Sequence, residues 1–306
     1  MNSGEASRFT EDSFDVSKTY TLSASYAYVA VRFKTDCPSA FIFRMPSARM
    51  FSHVAIMPRV PERIEALLRR TGVEKTFEAG EYVFHSDEYY GSLVMLTRGL
   101  GGRAFGSETC QASDAIALSV PYRIIGGNHC FFSGLPGIGR YFLLTAGEGI
   151  VAKKEAVMAE LRRDTELFEE FAAFLDRLFQ SDRIGFGAIA LFPVRKRILL
   201  WALSWGITYG DLVTEGGVEW LAIEPSLSAQ LLSRVASANL SQIKRDLAQM
   251  RKEEVYKRDG ARLLVRADAL DDVWRWMRDS EERTARFKRP VDWRGYCRDY
   301  PRVLLP

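Results

Sequence analysis

Histidine and cysteine are scarce in this chain of 306 residues. Three histidines occur, at positions 53, 85 and 129, and the four cysteines are widely scattered, with no Cys-x-x-Cys pair among them. Zinc sites and disulfide frameworks need such residues in close and regular spacing. The sequence therefore indicates neither kind of site, and a metalloenzyme would have few ligands to use.

Long apolar runs are also missing. No stretch approaches the roughly 18 apolar residues of a membrane-spanning helix, and the polar start MNSGEASRFTEDSFD has no secretory signal. We therefore expect a cytoplasmic protein with reduced thiols and no membrane partner. Hydrophobic residues make up 47% of the chain and charged residues 26%, an ordinary globular balance, and the length predicts about two domains of roughly 150 residues each.

The first part of the chain changes its pattern near residue 60. Residues 1–59 have no clear period, and we expect an N-terminal extension there. From 60 to 163, a short helix in PERIEALLRR is followed by short apolar runs with glycine or aspartate between them. Many short strands with regular turn residues indicate an antiparallel roll or barrel.

A helical pattern follows at residues 164–192. In TELFEEFAAFLDRLFQ, apolar residues including Phe171 and Leu175 recur at helical spacing. A stripe this wide needs a surface to pack against, and the sequence leaves two such surfaces as alternatives. It can pack on its own roll, or it can pair with the same helix of a second chain and form a homodimer through residues 165–192. Pro193 then starts a new helix and marks a hinge.

The segment LSAQLLSRVASANLSQIKRDLAQM predicts two short helices across a tight turn. Ser228 can cap the first, and Asn239 the second, with Gln242 completing a capping-box-like pair. Asp259-Gly260 lies between two extended runs and predicts a hairpin directly afterwards. Nine basic and four acidic residues lie between 227 and 266, a local excess of five positive charges against +3 for the whole chain. Such a surface suits the phosphates of duplex DNA.

The order of β-roll, long helix and winged helix resembles the cAMP receptor protein/FNR (CRP/FNR) family of bacterial transcription regulators. The resemblance is best in LSAQLLSRVASANLSQIKRDLAQMRKEEVYKRDGARLLV and in FEAGEYVFHSD. It implies an α+β protein with a cyclic-nucleotide-binding-like β-roll (a double-stranded jelly roll) at 60–163, a dimerisation helix and hinge at 164–192, and a winged helix-turn-helix at 193–274. A basic and aromatic tail follows at 275–306. The sequence leaves two roles open for this tail. It can pack on the wing, or it can make a further contact with DNA or another partner.

The same resemblance implies which residues meet DNA. Arg245 matches the arginine that contacts DNA in this family, whereas Leu240 replaces a second arginine. A leucine can touch a thymine methyl group or be buried against the first helix. The family's turn glycine is Ser237 here. The residues expected at base edges or phosphates are Asn239, Leu240, Ser241, Gln242, Lys244 and Arg245 on the second helix, and Lys257 and Arg258 on the wing.

The effector pocket implied by the resemblance departs from the cAMP-binding pattern. In cAMP binders a glutamate follows the cassette glycine, but Gly126 is followed here by Gly127. Arg140 matches the cassette arginine, which pairs a cyclic phosphate, whereas the bulky Tyr141 replaces a small hydroxyl residue. The positions on the long helix that would reach a purine are charged: Asp182 and Arg183. We therefore expect no cAMP binding, and Arg140 can serve another anion or be an ordinary surface arginine.

Other cofactors have little support in the sequence. Iron–sulfur sensing is disfavoured because Cys37 is the one cysteine in the N-terminal extension. Haem would need an axial ligand such as His85, His129 or Cys130, and each of these is also suited to plain packing. The cofactor is therefore unknown.

We expect a DNA-binding transcription regulator and not an enzyme. The expected partners are double-stranded DNA, a second copy of the chain, RNA polymerase and a small-molecule effector. One alternative is a cupin-like small-molecule-binding protein or enzyme with a helical domain that does not bind DNA. Another is an interaction protein whose helix-turn-helix has lost DNA binding.

Overall fold

The computed structural model describes residues 56–86, 88–104, 116–137, 139–224, 227–260, 262–282 and 293–294. All of these residues belong to one compact unit. The predictions for residues 1–55 and for most of the tail beyond 282 lie outside the described residues.

Eight strands form two four-stranded antiparallel sheets in the first half of this unit. The sheets have the orders β1-β8-β3-β6 and β2-β7-β4-β5. This arrangement confirms the antiparallel β-structure that the short apolar runs predict. The strands are β1 (Gly72–Phe77), β2 (Tyr82–Phe84), β3 (Ser92–Arg98), β4 (Gly101–Ala104), β5 (Ile116–Ser119), β6 (Ile124–Gly126), β7 (Arg140–Leu143) and β8 (Gly147–Lys153).

The residues just before position 60 are part of the roll. Ile56 forms a β-bridge to Leu118, and Arg59 forms one to Arg123. Ile56 and Met57 are both almost completely buried. The last residues of the predicted extension, from Ile56 onwards, therefore pack with the roll.

The described part of the chain contains seven α-helices. None of them is both long enough and apolar enough to cross a membrane. The helices are α1 (Glu62–Thr71), α2 (Lys154–Leu161), α3 (Thr165–Leu191), α4 (Val194–Tyr209), α5 (Ala229–Val235), α6 (Leu240–Lys252) and α7 (Asp271–Glu282).

The long helix α3 packs on the roll of its own chain. Asp164 caps its N-terminus, because its carboxylate accepts a hydrogen bond from the Leu167 backbone N–H at 2.9 Å. Phe171 and Leu175 are 1% and 5% exposed and share a core cluster with α1 and the roll. At Phe171 and Leu175 the stripe therefore follows the first of the two alternatives and packs on its own roll. Two other aromatic residues of α3, Phe168 and Phe179, are about two-fifths exposed.

The second half of the unit is built around α4. Pro193 is the N-cap of this helix, so the helix begins at the proline, as the sequence predicts. Trp201 and Trp205 on α4 are buried between α3, α5, α6 and a third antiparallel sheet with the order β11-β12-β10-β9. Its strands are β9 (Gly210–Glu215), β10 (Val218–Ile223), β11 (Tyr256–Asp259) and β12 (Arg262–Arg266).

Residues of the predicted tail contact helix α7 and this sheet. Helix α7 crosses the predicted boundary at 274/275. Trp293 is 1% exposed, and its indole N–H donates to Asp271 at 3.0 Å. Arg294 bonds to Glu219 of β10 at 2.6 Å and to Asp271 at 3.0 Å. Desolvation opposes the charge of Arg294, but these two carboxylates hold its pKa above the ordinary value. Of the two alternatives for the tail, Trp293 and Arg294 therefore show packing against the rest of the chain.

Candidate nucleic-acid interface and effector pocket

Helices α5 and α6 meet across a short turn, and local hydrogen bonds fix both of their starts. The Ser228 hydroxyl accepts from the Leu231 N–H at 3.1 Å, and the Asn239 side chain accepts from the Gln242 N–H at 2.9 Å. Both caps agree with the sequence, since Ser and Asn satisfy helix-end donors that have no other partner. Ser237 in the turn has φ +47°, a left-handed conformation that costs a residue with a Cβ roughly 1 kcal/mol.

Arg197 connects this turn to the junction between α3 and α4. Its Nη1 donates to the carbonyl oxygens of Ala236 and Ser237, both at 2.9 Å. Its Nε donates to the carbonyl oxygen of Phe192 at 2.8 Å. One guanidinium group thus holds the strained turn and the junction between α3 and α4 at the same time. Sequence patterns give no signal for this contact, because its partners are backbone atoms.

The outward side of α6 is mostly polar and basic, and Leu240 is its one large apolar residue. Ile243 and Met250 are completely buried, whereas Ser241, Lys244 and Arg245 are exposed. Leu240, the first residue of the helix, is 37% exposed. Of the two environments open for this leucine, the structure excludes full burial against the first helix.

A series of hydrogen bonds between side chains orients the guanidinium group of Arg245. The guanidinium group of Arg245 donates to the amide oxygen of Gln242. The amide nitrogen of Gln242 donates in turn to Asp246 at 2.9 Å. The Gln242 side chain therefore faces along the helix, and the reciprocal half of the predicted capping box is replaced by these contacts.

The hairpin β11–β12 follows α6 directly, as Asp259-Gly260 predicts. Asp259 pairs with Arg262, and Gly260 has φ +57°, which suits glycine in a tight turn. Lys257 forms an ion pair with Glu215 of β9, and its ammonium group lies 4.3 Å from the centre of the Trp220 ring. Lys257 is thus held by its own sheet, whereas Arg258 is exposed.

Gly126 and Gly127 lie where β6 runs into the following loop. Gly127 has φ +87°, and a Cβ at this position would be 1.9 Å from the carbonyl oxygen of Ser92. A Cβ on Gly126 would be 2.6 Å from the Phe84 ring. No side chain fits at Gly127 without moving β3, so a ribose-binding carboxylate is sterically excluded there.

Arg140 and Tyr141 begin β7. Arg140 is half-buried, whereas Tyr141 is completely buried and packs edge-on against Phe84 and Tyr90. Burial raises the pKa of Tyr141 to about 12, although the nearby positive charge of Arg103 opposes the shift. The phenol is therefore neutral and fills part of the space that a small hydroxyl residue would leave open.

A buried ionic cluster lies beside Tyr141. We call it the Arg103 cluster: Arg103 of β4, His129 of the loop after β6, and Asp182 of α3. Arg103 is 2% exposed and forms an ion pair with Asp182, and its Nη1 lies 2.8 Å from His129 Nε2. His129 Nε2 lies 3.5 Å from the Asp182 carboxylate. Asp182, at one of the positions that would reach a purine in a cAMP binder, is thus paired within the chain. His129, one of the conceivable haem ligands, is paired there as well.

Solved structures share the fold of this chain, although their sequences have little similarity to it. No protein-family model and no curated protein matches the sequence. Among solved structures, FixK2 from Bradyrhizobium japonicum is similar with a TM-score of 0.55 at 13% identity, over 66% of this chain and 96% of that one. A CooA variant from Carboxydothermus hydrogenoformans has a TM-score of 0.54 at 10% identity, over 71% and 92% of the two chains. A single-residue variant of CprK in complex with OCPA has a TM-score of 0.53 at 15% identity, over 71% and 94% of the two chains.

These three proteins are regulators of the CRP/FNR type. The chain has the CRP/FNR fold. At this level of identity the likeness shows the fold alone, so the roles of individual residues come from the geometry described above. Within the CRP/FNR fold, sequence reasoning singled out residues on the exposed face of α6 and the two glycines at the end of β6. It missed Arg103 and Arg197, whose partners are distant in the sequence.

Proposed function

We propose that this chain is a homodimeric transcription regulator of the CRP/FNR type that binds specific DNA sequences through α6. The observation that carries the proposal is the surface of α6. Its buried residues fix it to α4 and α5, while Ser241, Lys244 and Arg245 are exposed. A helix of this length, about 20 Å, fits the major groove of duplex DNA. In this proposal α5, α6 and the β11–β12 hairpin form the winged helix-turn-helix.

The charges around α6 support contact with a phosphate backbone. The positive excess between residues 227 and 266 exceeds the net charge of the whole chain. Asn239, Ser241, Gln242, Lys244 and Arg245 meet base edges or phosphates, and Arg258 meets phosphate from the wing. Lys257 has a weaker role than its sequence position suggests, because Glu215 neutralises it. RNA polymerase is the further partner that we propose for this regulator.

Salt dependence tests the DNA contact directly. Each phosphate neutralised by the protein contributes a slope of about −0.9 to log K against log salt. We expect gel-shift or anisotropy titrations with genomic fragments to give a steep negative slope, and Arg258→Ala to make it shallower by about one per half-site. An affinity that does not change with salt would reject DNA binding as the function.

The proposed dimer uses the exposed side of α3. Phe168 and Phe179 are eleven residues apart, or about three helical turns, so they lie on one face. The exposed Phe132 ring lies 5.7 Å from the Phe168 ring and extends the apolar surface. Two such helices can pair about a two-fold axis and bury these aromatic rings. This places two copies of α6 for half-sites about one DNA turn apart.

The dimer surface can be tested by one substitution with a matched control. Phe179→Glu should give monomers at micromolar concentration in sedimentation experiments and should weaken operator binding, because it puts a charge into the helix pair. Leu191→Glu changes a residue that is 68% exposed and lies on another side of α3, so it should remain dimeric. An unmodified protein that sediments as a monomer would contradict the proposed dimer.

The roll is proposed as the effector domain, and its ligand is not cAMP. Gly127 leaves no space for the carboxylate that binds the ribose, and the Arg103 cluster already pairs Asp182. Arg140 remains on the edge of this region with a cationic group. A small anionic effector is therefore the class that we propose for screening.

A further inference from the structure

Leu240 is the one large apolar residue on the exposed side of α6. It is the first residue of α6 and stands between the exposed residues Asn239 and Ser241. More than a third of Leu240 is exposed, whereas Ile243 one turn later is completely buried. The core around α4 includes Ala238 and Leu247 from the same region, but Leu240 is not part of it. The position of Leu240 is therefore not explained by packing within the chain.

Helix capping does not explain Leu240 either. Asn239 already caps α6, and its side chain also accepts from the Ser241 hydroxyl at 2.8 Å. The first position of a helix tolerates many polar residues, and a polar residue here would avoid exposing an apolar side chain. Packing and capping within the described chain therefore give no reason for the exposed part of this leucine.

The location of Leu240 indicates the chemistry of this partner. When a recognition helix enters the major groove, its N-terminal residues lie against the base edges. The one apolar group on these edges is the 5-methyl group of thymine, and aliphatic side chains contact it. We propose that Leu240 reads a thymine methyl group in each half-site and so disfavours cytosine at that position. This inference rests on the proposed DNA-binding function and adds a specificity residue to it.

The test uses the full-length protein and duplexes selected from a random pool. Each thymine of the selected half-site is replaced in turn by deoxyuridine, which removes the methyl group and keeps base pairing. Burial of one methyl-sized group is worth roughly fourfold in affinity. We expect one deoxyuridine position to lower affinity by about this factor per half-site, and thymines outside the half-sites to have no effect.

Protein variants connect the effect to Leu240. Leu240→Ala should bind thymine and uracil duplexes equally, whereas Leu240→Met, which keeps an apolar chain of similar size, should retain the preference for thymine. Circular dichroism checks that both variants are folded. Leu240→Arg should shift the selected base towards guanine, which a bidentate arginine contact favours.

The outcomes separate this inference from the proposed function. If the unmodified protein binds DNA but no thymine methyl group affects affinity, Leu240 does not read thymine, and DNA binding stands. If the preference persists unchanged in folded Leu240→Ala, another residue reads the methyl group, and the inference is again wrong. If the protein binds no duplex at all, the proposed function itself fails.

Discussion

Arg245→Ala should lower the affinity for a selected operator by at least about thirtyfold. Arg245 is exposed on α6, and Gln242 and Asp246 hold its guanidinium group in one orientation. A bidentate contact between arginine and a base is worth about 1–3 kcal/mol. A homodimer carries the change twice, so about 2–6 kcal/mol should be lost from the whole site. Fluorescence anisotropy at one fixed salt concentration measures this loss.

Arg251→Ala is the matched control for this prediction. Arg251 is exposed in the last turn of the same helix, so its removal takes away the same charge far from the proposed base contacts. It should weaken operator and random DNA by similar small factors. Arg245→Ala should instead remove most of the preference for the operator. Equal losses for the two variants on both DNAs would show that Arg245 reads no base.

Gly127→Ala should destabilise the protein by more than about 4 kcal/mol, which is in the range that only severe structural conflicts reach. The new Cβ would lie 1.9 Å from the Ser92 carbonyl oxygen, and the backbone φ of +87° is itself unfavourable for alanine. Since whole domains are stable by about 5–15 kcal/mol, much of the protein should be unfolded or insoluble. Urea denaturation followed by circular dichroism measures the free energy of unfolding.

Gly80→Ala separates the two causes of this effect. Gly80 has a similar φ of +83°, but a Cβ there would have nothing within 4 Å. Its replacement should cost only roughly 1–2 kcal/mol, the cost of the left-handed conformation. If the Gly127→Ala and Gly80→Ala proteins had the same free energy of unfolding, the space around Gly127 would be larger than the structure shows. The same conflict should prevent Gly127→Glu from creating a cAMP site.

Local features of the sequence predicted much of the region around α6. Ser228 and Asn239 cap helices through atoms only three residues away, and the Asp259-Gly260 turn pairs its immediate neighbours. Such contacts form within one short segment, so the order of residue types along that segment is enough to predict them. The antiparallel strands of the roll follow from turn residues in the same way.

Contacts between distant segments could not be predicted. Arg103 and Asp182 are 79 residues apart, and Arg197 and Ser237 are 40 apart. In the sequence, nothing distinguishes these residues from other charged or polar residues, because each pair becomes neighbours only in the folded chain. The apolar stripe of α3 shows a related limit, because a wide stripe is equally suited to its own roll and to a second helix. The structure divides it, with Phe171 facing the roll and Phe179 facing outwards.

Selection from a random pool of duplexes tests the central claim most directly. The unmodified protein should enrich a two-fold symmetric sequence whose half-sites are about one helical turn apart, because each protomer presents one α6. The Arg245→Ala variant should enrich no such sequence under the same conditions. A pool without an enriched motif for the unmodified protein, or the same motif for both proteins, would contradict sequence-specific binding through α6.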